Sequence, residues 1–475
     1  MSPHDPVEEF FARERREVRD LPADPDHWEG MLSESRRPAR RGWLPYLGAA
    51  AAAAVVVGAI AYGTTANRDH HTTPATASRQ ATATVTQTVT APATGSSPAP
   101  GRTSGGSSST TPSGPLPAPV SFEAVSMSNA GDGHVYAMGS ARCGDTAPHC
   151  VAVVGSDDDG ATWATRASFP KSVTSGARST PGQPNQLSGI RFAMPDVGYL
   201  YGGSVWRTTD GGHQWRSFDV GGQRVLSLET DGKTVWFVTA GSCQQGAQPD
   251  KRGCSDLAVW SAPVDASRAT KVRTLGLAHP VDSAWLSMDG SDAYVSVSYA
   301  DQSLQTLPQR VSGAPTTMQR PQGCASTGGV WVWGTARADG HLVAVCASAS
   351  APAKTYAVSS SGDAGKSWSR AADAPDLGTP GSAGVWLTAV DAHHLVAVQQ
   401  GLPTSGSPVD QPTALLSSSD GGRTWSSPGG SGSSQSWSWA GAAGGGLVYV
   451  LGGGPGSFEV STDSGATFGA RPFRQ

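Results

Sequence analysis

From residue 120 onward the chain reads as short runs in which apolar and polar positions alternate, interrupted by Gly, Pro, Asn and Asp. VLSLET from Val225, TVWFVTA from Thr234, LAVWSA from Leu257, TKVRTL from Thr270, WLSM from Trp285 and AYVSVSY from Ala293 are representative. A period of two puts successive side chains on opposite faces of a strand, so runs this short between turn residues predict an all-β domain. Ahead of it the pattern changes twice. Trp43 to Gly63 is apolar, Ala/Val-rich and uncharged, and Thr64 to Pro119 is almost entirely Thr, Ser, Ala, Pro and Gly.

One stretch recurs five times in the β region: Ser156 to Trp163 (SDDDGATW), Thr208 to Trp215 (TTDGGHQW), Ser361 to Trp368 (SGDAGKSW), Ser418 to Trp425 (SSDGGRTW) and Ser461 to Phe468 (STDSGATF). Each copy has a hydroxyl residue first, Asp third, Gly fifth, usually Thr or Ser seventh and an aromatic eighth. Asp158, Asp210, Asp363, Asp420 and Asp463 can accept hydrogen bonds from turn amides, while Gly160, Gly212, Gly365, Gly422 and Gly465 take the positive φ that other residues resist. The ring that follows, Trp163, Trp215, Trp368, Trp425 or Phe468, starts the next strand and must be buried against a neighbouring sheet. These residues are therefore predicted to be structural.

The pattern resembles the Asp-box, or BNR, repeat of sialidases and of many non-enzymatic β-propellers. That resemblance implies a turn between the third and fourth strands of a propeller blade; Gln214 in place of the seventh-position hydroxyl is the one departure. A longer stretch, Ile190 to Trp215 (IRFAMPDVGYLYGGSVWRTTDGGHQW), is similar to the repeat of photosystem II assembly-factor-like propellers, which are seven-bladed.

The aspartates of the five copies lie 52, 153, 57 and 43 residues apart, and the long interval holds three periods. Two degenerate blades fit it, one over Val225 to Leu275 and one over Ala284 to Arg320. With Phe122 to Phe169 at the start and Ser436 to Phe473 at the end, the prediction is an all-β seven-bladed propeller over residues 120–475. Radial repetition of this kind protects sheet edges.

About 21 apolar residues in Trp43 to Gly63 give roughly 31 Å of helix, enough to span a bilayer core. Arg36, Arg37, Arg40 and Arg41 stand directly before the span and no such cluster follows, so residues 1–42 are expected in the cytoplasm and the rest outside. A cleaved signal peptide is the alternative; against it stand the long segment before the span, its length and the lack of a lipobox Cys. Residues 64–119 carry too little apolar surface to offset the entropy of ordering and read as a disordered stalk, reaching roughly 40 Å as a flexible coil. In the tail, Val7, Phe10, Phe11 and Val18 could form an apolar helical stripe for a partner, but a lone short helix is marginal in water and a solvated tail is preferred.

The net charge is −4 and the exported part has no basic run that could track phosphates, which excludes a nucleic-acid binder. Arg outnumbers Lys and Ala and Gly are abundant, as in proteins of high-GC bacteria. All six cysteines lie beyond the span, where disulfides are the default. The connectivity is open from sequence, but local pairs that bracket a loop within one blade are favoured: Cys143 with Cys150, Cys243 with Cys254, Cys324 with Cys346. No CxxC occurs, and neither a metal site nor a cofactor is expected.

In a four-stranded antiparallel blade the repeat turns share one face with the first-to-second-strand turns. The long segments Cys143 to Cys150, Pro170 to Gln186, Cys243 to Cys254, Ala371 to Ser382 and Gly401 to Pro412 are expected on the opposite face, as binding loops or as tolerated insertions. Trp285, Trp331, Trp333, Trp386, Trp437 and Trp439 fall on innermost strands, where core packing is preferred over a ligand platform. Sialidases of the resembled family use a Tyr nucleophile, carboxylates and an arginine triad, and carry a Phe/Tyr-Arg-Ile-Pro motif before the first Asp box. That motif is absent, the exported part has only Glu123, Glu229 and Glu459, and Tyr199, Tyr201, Tyr294 and Tyr299 have no glutamate at recognisable spacing. The expectation is a membrane-anchored extracytoplasmic propeller that binds or scaffolds an unknown protein or glycan, with a divergent exo-glycosidase of the sialidase type as the alternative.

Overall fold

The computed structural model describes residues 116–117, 119, 121–142, 150–170, 172–175, 185–244, 253–299, 301, 303–350, 355–378, 385–399, 414–430, 437–452 and 456–473. The expected tail, span and most of the stalk lie outside these residues, as do Cys143 and most of the long loops. Among the described residues no helix is long and apolar enough to cross a membrane.

Seven antiparallel sheets follow one another along the chain as blades of a β-propeller. Blade 1 holds Glu123–Gly131, His134–Ala141, Cys150–Ser156 and Ala164–Ser168, with Leu116–Pro117 paired to its outermost strand. Blade 2 runs over Gln186–Phe192, Gly198–Gly202, Trp206–Thr208 and Arg216–Ser217, and Thr174–Ser175 lies parallel along its inner edge. Blade 3 is Arg224–Thr230, Thr234–Ala240, Ala258–Pro263 and Thr270–Thr274, and blade 4 is Val281–Asp289, Asp292–Tyr299, Gln309–Arg310 and Thr316–Thr317. These two fill the long interval between repeat copies. Blade 5 comprises Val330–Gly334, Leu342–Ala347, Tyr356–Ser361 and Ala372–Ala374; blade 6, Val385–Ala389, Leu395–Gln399 and Ala414–Ser418; blade 7, Trp437–Ala442, Val448–Gly452, Ser457–Ser461 and Gly469–Pro472.

The middle strands are apolar on both faces because each face meets a different neighbour. Val135 and Ala137 pack toward blade 7, whereas Tyr136 and Met138 pack toward blade 2. Seven apolar clusters result, one for each blade-to-blade interface. The ring closes where Glu123–Gly131 meets Trp437–Ala442. Among the described residues no strand is exchanged across that seam, so side chains hold it: Phe473 lies 5.1 Å from Phe122, 4.9 Å from Trp163 and 4.8 Å from Phe458 between ring centroids.

Three local expectations are corrected. Blade 6 has three full strands, and its outer edge is reduced to a single bridge between Ser417 and Ser426, where the following Pro428 has no N–H to extend a ladder. The segment from Ala371 is not all loop, since Ala372–Ala374 is the outer strand of blade 5. Nor is Cys243 to Cys254 a free loop: Ser242–Gln244 and Gly253–Ser255 form a hairpin that joins blade 4 through Cys254 and Val281.

Candidate functional site

The five repeat turns follow the third strands of blades 1, 2, 5, 6 and 7, none of their residues lines the channel cavity described below, and their bonding is nearly identical. In the first, Ser156 Oγ donates to Asp158 Oδ1 at 2.7 Å and accepts the Gly160 amide at 2.8 Å, while Asp158 accepts the Thr162 amide and hydroxyl, each at 2.7 Å. Gln214 keeps the amide bond to Asp210 at 2.8 Å. Hydrogen bonds hold Asp363 and Asp420 at about 2, well below the usual carboxylate range. Trp163, Trp215 and Trp425 donate their indole N–H to the carbonyl of the fifth-position glycine, at 2.8–3.0 Å.

Sequence reasoning missed the fourth position. Asp159, Gly211, Ala364, Gly421 and Ser464 are all left-handed, and the amide of each donates to a carbonyl of the first-to-second-strand turn: Gly133, Asp196, Gly340, His393 or Gly446, at 2.9–3.1 Å. Each repeat turn is thereby clipped to the turn beside it. The fifth glycine also lets the preceding blade approach: a Cβ on Gly422 would stand 2.6 Å from Val358, and one on Gly465 2.4 Å from Val396.

The inner strands surround a central channel, and their edges belong to separate sheets. Hydroxyls bridge them: Ser128 Oγ accepts the Phe192 amide at 2.8 Å, Ser227 Oγ the Leu286 amide at 3.0 Å, and Thr388 Oγ1 the Ala442 amide at 2.9 Å. A cavity of about 380 Å³ lies in the half of the channel where the inner strands run into the first-to-second-strand turns. That is the face of the repeat turns. The opposite face, where the long loops were expected, is mostly outside the described residues.

Four of the six inner-strand tryptophans, Trp285, Trp333, Trp386 and Trp439, line this cavity. Trp437 is buried in the blade 6–7 core and Trp439 in the blade 7–1 core, Trp331 and Trp333 pack against the blade 5–6 core, and Trp386 packs against the cores on both sides of blade 7, so core packing holds for these five, three of which also line the cavity. Trp285 stands edge-on to Trp386 with centroids 4.3 Å apart, and Trp386 donates to Ala440 O at 2.7 Å. Of these lining residues, Trp285, Trp333 and Trp439 bury an indole N–H, and Ser287 its hydroxyl, without a hydrogen-bond partner among the described residues.

Arg191 and Glu229 complete the wall. Arg191 Nε donates to Glu229 Oε1 at 2.8 Å, and Nη1 donates to Ile190 O at 2.8 Å and to Ser126 Oγ and Met127 O at 3.3 Å each. Its guanidinium lies over the Trp439 ring, 5.9 Å from the centroid. Burial raises the Glu229 carboxyl above its ordinary value, with Arg191 opposing the shift. Burial lowers the Arg191 guanidinium, but the Glu229 and Tyr201 charges and the Glu229 hydrogen bond together outweigh it and the net shift is upward. Burial also raises Tyr201, which feels both charges; its ring occupies the gap left by Gly189. No spacing in the sequence signals this cluster, because its members come from blades 1, 2, 3 and 7.

Two expected disulfides are present, Cys243–Cys254 and Cys324–Cys346. Cys150 is also disulfide-bonded, and Cys143 lies outside the described residues. Among the described residues no group of His, Cys, Asp and Glu is arranged to hold a metal ion.

No known protein family matches the sequence, and no curated protein does. Solved structures similar to it are β-propellers. They include YCF48 from Cyanidioschyzon merolae, with 14% identity and a TM-score of 0.45 over 72% of this chain and 96% of that one. The β-propeller domain of the trilobed protease from Pyrococcus furiosus has 7% identity and a TM-score of 0.43, covering 75% of this chain and 98% of that one. The GH74 enzyme of Niastella koreensis has 12% identity and a TM-score of 0.30, over 74% of this chain and 65% of that one. The likeness is one of fold.

Proposed function

We propose that the chain is a membrane-anchored, extracytoplasmic propeller at the bacterial cell surface that binds or scaffolds a protein or glycan ligand without transforming it. The central cavity carries this reading: four indoles and one internally neutralised ion pair make a recognition wall, and Glu229 is the one carboxylate among its lining residues. Pockets of ~300–1,000 Å³ with apolar walls and a few placed polar groups are the usual form of small-ligand sites.

One observation favours the exo-glycosidase alternative: the fold brings Tyr201 within electrostatic reach of Arg191 and Glu229. A sialidase-type site, however, needs an arginine triad and further carboxylates beside its Tyr, whereas Arg191 and Glu229 are the one arginine and the one carboxylate among the lining residues, and burial pushes the Tyr201 phenol away from the ionised form. Two measurements test the proposal. Protease added to cell-wall-stripped cells should digest the propeller and spare the tail; a propeller released into the medium with its start near Thr64 would refute anchoring. Purified protein should leave chromogenic sialosides and aryl glycosides intact, whereas turnover abolished by Tyr201→Phe or Glu229→Gln would establish the alternative.

A further inference from the structure

We infer that the channel cavity is a site for a neutral hexopyranose, with the Arg191–Glu229 pair reading two adjacent hydroxyls and the tryptophans receiving the C–H face of the ring. The inference rests on the binding role proposed above and names its ligand class.

The first observation is the aromatic wall. Trp285, Trp333, Trp386 and Trp439, from four successive blades, line the cavity beside Ser128, Ser287 and Thr388. Rings interspersed with hydroxyls suit a ligand that has an apolar face and a polar edge.

The second observation is the orientation of the ion pair. Among the described residues the hydrogen bonds of Arg191 leave through Nε and Nη1 and those of Glu229 arrive at Oε1. Nη2 and Oε2 are left over, on side chains that are 10% and 21% exposed and line the cavity. One group donates and its neighbour accepts. A vicinal diol matches that pair, one hydroxyl oxygen accepting from Nη2 and the next hydroxyl donating to Oε2.

Charge and shape exclude the nearest competitors. An anion would meet the Glu229 carboxylate, and the Arg191 charge is already matched. A quaternary ammonium suits aromatic walls, yet it would meet the Arg191 guanidinium and has no hydroxyl for Glu229 Oε2. A pyranose has an apolar C–H face for Trp285 and Trp386 and hydroxyls around its edge, and the volume of about 380 Å³ admits it.

The test is titration of the full chain with methyl α-D-mannopyranoside, methyl β-D-glucopyranoside and methyl β-D-galactopyranoside, followed by tryptophan fluorescence and calorimetry. N-acetylneuraminic acid and choline chloride serve as the anionic and cationic comparisons. At least one neutral pyranoside should bind saturably, with affinity weakened about tenfold by Glu229→Gln, the scale for losing one charge-assisted hydrogen bond. Should that variant fail to fold, Trp285→Phe keeps an aromatic ring but shrinks the face that the wall offers the sugar. It should weaken the same pyranoside several-fold at a nearly unchanged melting temperature. Absence of binding by all three pyranosides, binding of only choline or N-acetylneuraminic acid, or affinity unaffected by Trp285→Phe and Glu229→Gln would overturn the inference. Failure here would leave the membrane topology and the lack of turnover untouched, whereas hydrolysis of a pyranoside that binds would overturn the non-catalytic reading alone.

Discussion

Replacing Ser418 should destabilise the propeller more than replacing the charged Asp420 two residues later. Ser418 Oγ accepts the buried amide of Gly422 at 2.9 Å and donates to Asp420 Oδ1 at 2.8 Å. Ser418→Ala leaves the Gly422 donor buried and unpaired, costing about 2–3 kcal/mol. Asp420 accepts more bonds, from the Arg423 and Thr424 amides at 2.9 Å and from the Thr424 hydroxyl at 2.7 Å, but these groups are exposed and turn to water when the carboxylate is removed. Asp420→Ala should therefore cost about 1–2 kcal/mol, the range for losing a side-chain cap. Urea denaturation followed by tryptophan fluorescence measures both.

The pH dependence separates the two variants further. Hydrogen bonding lowers Asp420 from 3.8 to about 2 in the folded protein. A carboxylate depressed on folding contributes stability above its unfolded pKa and loses it as pH falls through the folded value. The gap between wild type and Asp420→Ala should accordingly be full at pH 5 and shrink between about pH 4 and pH 2. An Asp420→Ala loss larger than that of Ser418→Ala, or a gap independent of pH over that window, would refute the assignment of this turn.

Two further substitutions test the ring. Ala364 is held at φ 59°, and its amide bond to Gly340 survives in glycine, so Ala364→Gly should stabilise the fold by about 0.5–1 kcal/mol as relief of left-handed strain exceeds the added chain entropy; a lower urea midpoint would contradict this. Phe473→Ala removes a ring that touches three others at a seam without a shared strand and should cost about 3–5 kcal/mol; a loss under about 1 kcal/mol would show that the seam is held by something else.

The sequence by itself settled the architecture because its signals are local. A turn that needs Asp to cap amides and Gly at positive φ writes both into eight residues, and the one interval about three times the others reveals the two blades that lack such a turn. Cys243 with Cys254 and Cys324 with Cys346 were legible for the same reason, since each pair closes a short loop. The left-handed fourth position was less visible, because Asp, Gly, Ala and Ser all occupy it and share no chemistry; its role is a backbone amide reaching another turn. The cavity was half legible: its tryptophans could be placed on innermost strands, but nothing tied Arg191 and Glu229 to them. Arg191, Glu229, Trp285 and Trp439 are separated by whole blades, and alternation along a strand tells only that a side chain leaves one face. Alternation would put Trp437 and Trp439 on one face, but the strand's register shifts between them, so Trp437 enters the blade 6–7 core while Trp439 enters the blade 7–1 core at the channel wall.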